Sequence, residues 1–356
     1  MNDRNPHDAP HAPAGIALVG AGYWGPNLAR NFLGCPGTDL RWIVDLDTER
    51  ARAIANGRPD VRVTSELAEA LEDPEVRGVA VATPPASHLP LAEAALRSGR
   101  HVLVEKPLAT TAADGERLAR LADDLGLVLM CDHTFCYTPV VRAISGLVRS
   151  GELGDIQYVD SIRVNLGLIQ SDVDVFWDLA PHDLSVLDHI LPDGIRPEAI
   201  AAHGADPIGS GQACVGYLTI PLTGGAIAHV TVNWLSPSKI RQMVIAGSRK
   251  MAVWDDMKPS QRLSILDSGV ELRVPEEQEE KRRLLVDYRV GDMLVPALPE
   301  GTEALRAVVE EFADCMRTGR SPLTDGWAGV RILRLLEAAS VSLRSNSAMI
   351  SVPDGS

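Results

Sequence analysis

Residues 176–191 read FWDLAPHDLSVLDHIL, which sets Asp178 four positions before His182, with Asp183 directly after it. Leu179, Leu184, Leu187 and Leu191 recur at roughly helical spacing, so the segment reads as an amphipathic helix. Asp178 and His182 then lie one turn apart on one face. Such a pair can act as an acid–base device, the carboxylate orienting an imidazole that accepts a proton from a substrate hydroxyl. It can equally be a helix cap beside an ordinary histidine, since Asp is a favoured N-cap and Pro181 suits a first turn. The segment by itself leaves both readings open.

A second constellation lies near the start. IALVGAGYWGPNLARNF places Gly20, Gly22 and Gly25 in G-x-G-x-x-G form after a predicted strand and before a predicted helix. There the first glycine makes a tight turn, the second admits a pyrophosphate, and the third lets helix and strand pack closely. Tyr23 and Trp24, inside the turn, are counted with this cofactor site. The next strand ends in Asp45, 20 residues beyond Gly25. Its carboxylate can accept from a ribose diol and would repel a 2′-phosphate, which favours NAD over NADP. Asp47 reads as the cap region of the following helix.

Two further strand ends carry polar residues. VATPPASH leaves Thr83, Pro85, Ser87 and His88 at the carboxyl edge of a strand, where doubly wound sheets bind ligands. Ser87 also fits a plain N-cap and His88 a surface histidine. HVLVEKPLA ends in Glu105, Lys106 and Pro107. A lysine at the edge of a buried strand is costly without polar work nearby. The X-Pro bond is a candidate cis peptide.

The elements that must position these residues follow from periodicity. IALV (16–19), LRWIV (40–44), VRGVAVAT (76–83), HVLVE (101–105) and LVLMC (127–131) read as buried strands alternating with helices, a parallel sheet covered on both faces. From 132 onward strand-like segments dominate, which predicts an α+β domain on an open, mostly antiparallel sheet. Two amphipathic helices close the chain. The expected division is a disordered lead-in over 1–14, an NAD-binding α/β Rossmann domain over 15–131, and a substrate-binding and oligomerisation domain over 132–356. The charged stretch EEQEEKRR (276–283) reads as a solvated loop.

Together the glycine turn, the EKP tripeptide and the Asp-x-x-x-His pair resemble the Gfo/Idh/MocA family of oxidoreductases, over nearly the whole chain from Ile16 to Val352. The resemblance implies a Rossmann domain followed by an open α/β domain, and a catalytic lysine, aspartate and histidine. Carried onto this chain they are Lys106, Asp178 and His182. It implies that His182 takes a hydroxyl proton, Asp178 holds its imidazole, and Lys106 donates a hydrogen bond to the reacting oxygen. DHTFCYTP (132–139), residues 163–183, residues 234–256 and YRVGDM (288–293) resemble a narrower branch acting on nucleotide-linked sugars. That branch implies oxidation of the 3-hydroxyl of a UDP- or dTDP-hexose to a 3-keto sugar, in aminosugar, antibiotic or polysaccharide biosynthesis. Tyr137, Arg163, Asn165 and Trp177 are expected to line the sugar pocket, with sheet packing as the alternative. Lys239 and Arg241, two apart on a strand pattern, read as a phosphate-binding edge or a solvated face. An inositol or polyol dehydrogenase, a 3-keto-sugar reductase and an inactive NAD-binding regulator are the competing functions.

Composition sets the outer limits. The chain has 356 residues, 45% hydrophobic, with a formal net charge of −14. That charge argues against nucleic acid or an anionic membrane as partner. It leaves room for a local basic patch. Five cysteines without paired spacing fit a reducing compartment, and a cytoplasmic location is expected. Cys131, His133 and Cys136 match no zinc spacing, so no metal site is expected. A homodimer or homotetramer is what the family implies.

Overall fold

The computed structural model describes residues 12–167, 169, 173–273, 285–299 and 303–353. Residues 1–11 of the expected lead-in and the charged stretch 276–283 lie outside the described residues. The chain divides into two compact units, Met1–Asp132 with Thr302–Gly329, and His133–Gly301 with Val330–Ser356.

The first unit alternates strand and helix: β1 (Ala14–Val19), α1 (Gly25–Gly34), β2 (Thr38–Val44), α2 (Thr48–Ala55), β3 (Arg62–Thr64), α3 (Leu67–Glu72), β4 (Val76–Val81), α4 (His88–Arg97), β5 (His101–Glu105), α5 (Ala112–Leu125) and β6 (Leu129–Asp132). The six strands form one parallel sheet in the order β3-β2-β1-β4-β5-β6. Ile16, Ala17 and Leu18 of β1 and Val79, Ala80 and Val81 of β4 are wholly buried, as strands covered on both faces must be. The sequence reading has five of these strands. It lacks β3, an edge strand of three residues, too short for any periodicity. The helices start where the sequence supplies caps. Asp47 accepts from the Arg50 N–H at the head of α2, as expected, and Thr111 accepts from the Asp114 N–H at the head of α5.

The second unit contains α6 (Pro139–Arg149), β7 (Ile156–Leu166), α7 (Val175–Ile190), β8 (Ala199–Ala205), β9 (Val215–Pro221), β10 (Ile227–Asn233), β11 (Leu235–Gly247), β12 (Met251–Asp255), β13 (Leu263–Arg273) and β14 (Leu285–Leu294). After these come α8 (Ala304–Thr318), α9 (Gly326–Arg344) and β15 (Ile350–Ser351). Nine strands form a sheet in the order β14-β13-β12-β11-β7-β10-β9-β8-β15. Only its β7–β10 pairing is parallel, and the other pairings are antiparallel. Ala228, Val230 and Val232 of β10 are buried in alternation with His229 and Thr231, the pattern of a sheet with one covered face. That face carries α7, whose Val175, Phe176, Ala180, Leu184 and Leu187 join the core cluster.

Thr302–Gly329 packs with the first unit, through α8 against α1, whereas the sequence division runs unbroken from 132 to 356. Among the described residues no helix is long and apolar enough to cross a membrane.

Candidate active site

At the end of β1 the chain turns through Gly20 with φ +104°, where a side chain would be strained and a Cβ would lie 2.5 Å from the Ala82 carbonyl. Gly22 differs. A Cβ there would meet nothing within 4 Å, so the open space above its backbone is room for a ligand and serves no packing. Asp45, at the end of β2, braces this turn. Its Oδ2 accepts from the Ala21 N–H at 2.6 Å and its Oδ1 from the Asp47 N–H at 2.8 Å. Each carboxylate oxygen keeps lone-pair capacity for a further donor. Tyr23 is almost fully exposed, and the Trp24 indole donates to Asp132 Oδ2 at 3.3 Å. The open backbone at Gly22 and the anchored carboxylate of Asp45 fit a dinucleotide.

The neighbouring strand ends are tied together by His88. It is fully buried, which overturns the surface reading. Its Nε2 lies 2.8 Å from the Thr83 carbonyl and its Nδ1 2.8 Å from the Pro107 carbonyl. Burial pushes its pKa below the usual histidine range, against those two acceptors. His88 therefore positions the two loops and presents no ring atom to a cofactor. Ser87 sits at the head of α4, but its hydroxyl donates to Thr83 Oγ1 and the Pro84 carbonyl instead of capping. Pro85 opens the short turn before α4. The Lys106–Pro107 bond is cis, as anticipated.

Glu105 and Asp132 are register neighbours on β5 and β6. The Glu105 carboxyl is buried, hydrogen-bonds to Asp132, and is held well above the usual carboxylate range, first by burial and then by the Asp132 charge. Lys106 opposes that shift. Asp132 and Lys106 thus act on the Glu105 carboxyl in opposite senses.

In the second unit α7 begins at Val175, three residues before Asp178. Its cap is Asp174, whose Oδ1 accepts from the N–H groups of Phe176 at 3.0 Å and Trp177 at 3.1 Å. The cap reading of Asp178 fails, and Pro181 lies inside the helix. Asp178 Oδ2 instead accepts from the Trp234 indole at 3.0 Å. His182 meets the Phe135 ring edge-on at 5.1 Å between centroids. Both members of the pair are thus held by aromatic residues from outside α7.

The expected pocket residues separate into different roles. Arg163 is buried and bound through Nε (2.7 Å) and Nη2 (3.0 Å) to Asp183, which also accepts from Ser161 at 2.9 Å. Its charge is matched within the fold. Trp177 donates its indole N–H to Ser340 on α9 at 2.9 Å, which makes it a packing residue of the core. Tyr137 is buried, with Arg142 stacked on its ring at 5.9 Å. Asn165 is half-buried on β7. Lys239 is exposed and does not share a ladder with Arg241. The register slips between Leu235 and Ile240, where four β11 residues stand against Asn165 alone on β7, and Pro237 in that stretch has no N–H to donate. Phe135, which no spacing in the sequence singles out, is the shared neighbour of His182, Arg163 and Arg241.

Residues 14–133 match the model of an oxidoreductase family with an NAD-binding Rossmann fold, Gfo/Idh/MocA. Those residues make up the parallel-sheet part of the first unit, so the family match lies on the NAD-binding part of the chain. The chain's similarity to the UDP-N-acetylglucosamine 3-dehydrogenase of Acidithiobacillus ferrooxidans is 25% identity over 331 residues, 92% of this chain and 95% of that one. To the scyllo-inositol 2-dehydrogenase (NADP(+)) of Bacillus subtilis it is 24% over 350 residues, 92% of each. A higher identity, 34%, to an uncharacterized oxidoreductase of Escherichia coli spans only 42% of that protein. Among solved structures, GenD2 from gentamicin A biosynthesis, in complex with NAD, is 25% identical with a TM-score of 0.79, covering 97% of this chain and 98% of that one. This oxidoreductase therefore has the family's two-part architecture, with an NAD-binding first unit.

Proposed function

We propose that this oxidoreductase oxidises a secondary hydroxyl of a sugar, the 3-hydroxyl of a nucleotide-linked hexose, to the ketone. The observation that carries this reading is the Asp178–His182 pair, one turn apart on α7, with the carboxylate anchored by Trp234 and the imidazole against Phe135. NAD⁺, when bound at Gly20, Gly22, Gly25 and Asp45, supplies the hydride acceptor. His182 removes the proton of the substrate hydroxyl, general-base work of roughly 10²–10⁴-fold in rate. Asp178 steadies the imidazole through that transfer. Lys106 donates a hydrogen bond to the reacting oxygen as it gains alkoxide character. Full-length likeness to a UDP-N-acetylglucosamine 3-dehydrogenase and to a protein of gentamicin A biosynthesis supports the substrate class.

The inositol dehydrogenase likeness makes a free polyol the competing substrate. A panel of UDP- and dTDP-hexoses, free hexoses and inositols, assayed with NAD⁺ and NADP⁺ by absorbance of the reduced cofactor, separates them. Selective turnover of a nucleotide sugar with NAD⁺ is expected. Equal turnover of free inositol or glucose moves the assignment to a polyol dehydrogenase.

A further inference from the structure

Arg241 of β11 stands directly opposite Arg163 of β7 in the antiparallel register. Like charges facing each other across a ladder destabilise a sheet. The fold answers the two unequally. Arg163 has both oxygens of Asp183, whereas the acid nearest Arg241 is Asp256, at 3.7 Å. Among the described residues the buried Arg241 Nε has no hydrogen-bond partner, and the side chain is 32% exposed. Burial and the Arg163 charge both push its pKa down. An uncompensated buried donor costs stability, which the loose pair with Asp256 offsets only in part.

The surroundings are short of acceptors as well. The Arg241 guanidinium lies 5.8 Å from the Phe135 ring, and Phe135 also packs against His182 and, at 6.0 Å, against Trp254. The Trp254 indole is buried and its N–H too lacks a partner. Arginine and tryptophan donate only. A half-exposed arginine next to a second unanswered donor, one aromatic ring away from the expected general base, calls for an acceptor-rich ligand.

We infer that Arg241 is the contact for an anionic group of the substrate, a phosphate of a nucleotide link or a carboxylate of a sugar acid. This rests on the substrate-oxidising role proposed for the site. It assigns to Arg241 the phosphate-binding work that the sequence spread over Lys239 and Arg241. The planar guanidinium suits both anions through paired hydrogen bonds.

The test uses the NAD⁺-loaded full chain with Arg241→Met and Arg241→Lys. Arg241→Met should raise KM for the anionic substrate about tenfold or more, the range of a charged hydrogen bond, with kcat little changed. Neutral-sugar kinetics should not move, and Arg241→Lys should recover part of the loss. The Tm of Arg241→Met should equal or exceed that of wild type, because a charge facing Arg163 and only loosely paired has been removed. Titration with UDP distinguishes the sources. A weakened UDP complex assigns the contact to phosphate, and a KM effect confined to hexuronates assigns it to carboxylate. Weakened UDP binding in a protein that turns over no nucleotide sugar would sustain Arg241 and reject the proposed reaction. Unchanged KM and UDP affinity in Arg241→Met, or a Tm several degrees lower with all substrates equally affected, overturns the inference.

Discussion

Arg163 on β7 holds Asp183, the residue after His182, in a two-pronged buried ion pair at 2.7 and 3.0 Å. The same guanidinium stacks 4.4 Å from the Phe135 ring that meets His182. The roll of α7 about its axis is therefore pinned to the sheet beside the candidate base. Breaking the pair on one side leaves a bare buried charge. Asp183→Asn or Arg163→Met should each lower stability by about 3–5 kcal/mol, and the double change, which leaves no buried charge, by less than their sum. Urea unfolding of the three variants checks this, and equal additive losses would count against a coupled pair.

Within the same helix the proposed chemistry separates His182 from its supports. His182→Ala should lower kcat by roughly 10²–10⁴-fold while the NAD⁺ dissociation constant stays within experimental error. Trp234→Phe, which removes the hydrogen bond to Asp178 Oδ2, should lower kcat less and shift the pH profile. Fluorescence titration with NAD⁺ alongside steady-state kinetics makes the comparison, and a parallel loss of NAD⁺ affinity in His182→Ala would refute the assignment.

The carboxyl pair of Glu105 and Asp132 has a defined pH signature. Glu105 titrates above its unfolded value because burial and the Asp132 charge oppose ionisation, with Lys106 working the other way. A group with a raised folded pKa contributes stability that is complete below the unfolded value and is lost as pH rises through the folded one. Wild-type Tm should fall with rising pH above the ordinary carboxylate range. Glu105→Gln, which keeps a donor toward Asp132 without a titrating proton, should flatten that slope. Thermal melts of both proteins across a pH series decide it, since identical slopes would show that Glu105 does not titrate with a raised pKa in the fold.

The glycine turn offers a contrast between two neighbouring positions. Gly20→Ala forces a side chain at φ +104° against the Ala82 carbonyl and should destabilise the fold. Gly22→Ala has open space and should leave Tm unchanged while weakening NAD⁺ binding. Melting curves paired with NAD⁺ titration distinguish the two, and a Gly22→Ala protein with wild-type affinity would mean the cofactor does not approach that backbone.

Cofactor choice is tested at Asp45. Asp45→Ala removes the acceptor of the Ala21 N–H as well as the carboxylate offered to a ribose diol. NAD⁺ should weaken by about 1–3 kcal/mol and the gap to NADP⁺ should narrow. An unchanged ratio of the two affinities would place the selectivity elsewhere.

Much of this protein is written in local pattern. Buried apolar runs alternating with helices predict the parallel sheet, and the strand–glycine–helix order locates the cofactor turn, because both depend on neighbours within one βαβ unit. The helical spacing around Asp178 and His182 likewise needs only the period of a single element. What no local pattern contains is the partner of each charge. Arg163, Lys239 and Arg241 look equivalent along the chain. Register separates them: the slip after Leu235 carries Lys239 out of the ladder, sets Arg241 opposite Arg163, and leaves Asp183 for only one of the two. His88 gives the same lesson, an edge histidine by sequence that folding encloses between two carbonyls. Whether a charged or polar side chain is spent on the fold or left for a ligand depends on contacts between residues far apart in sequence, and only the tertiary structure decides those.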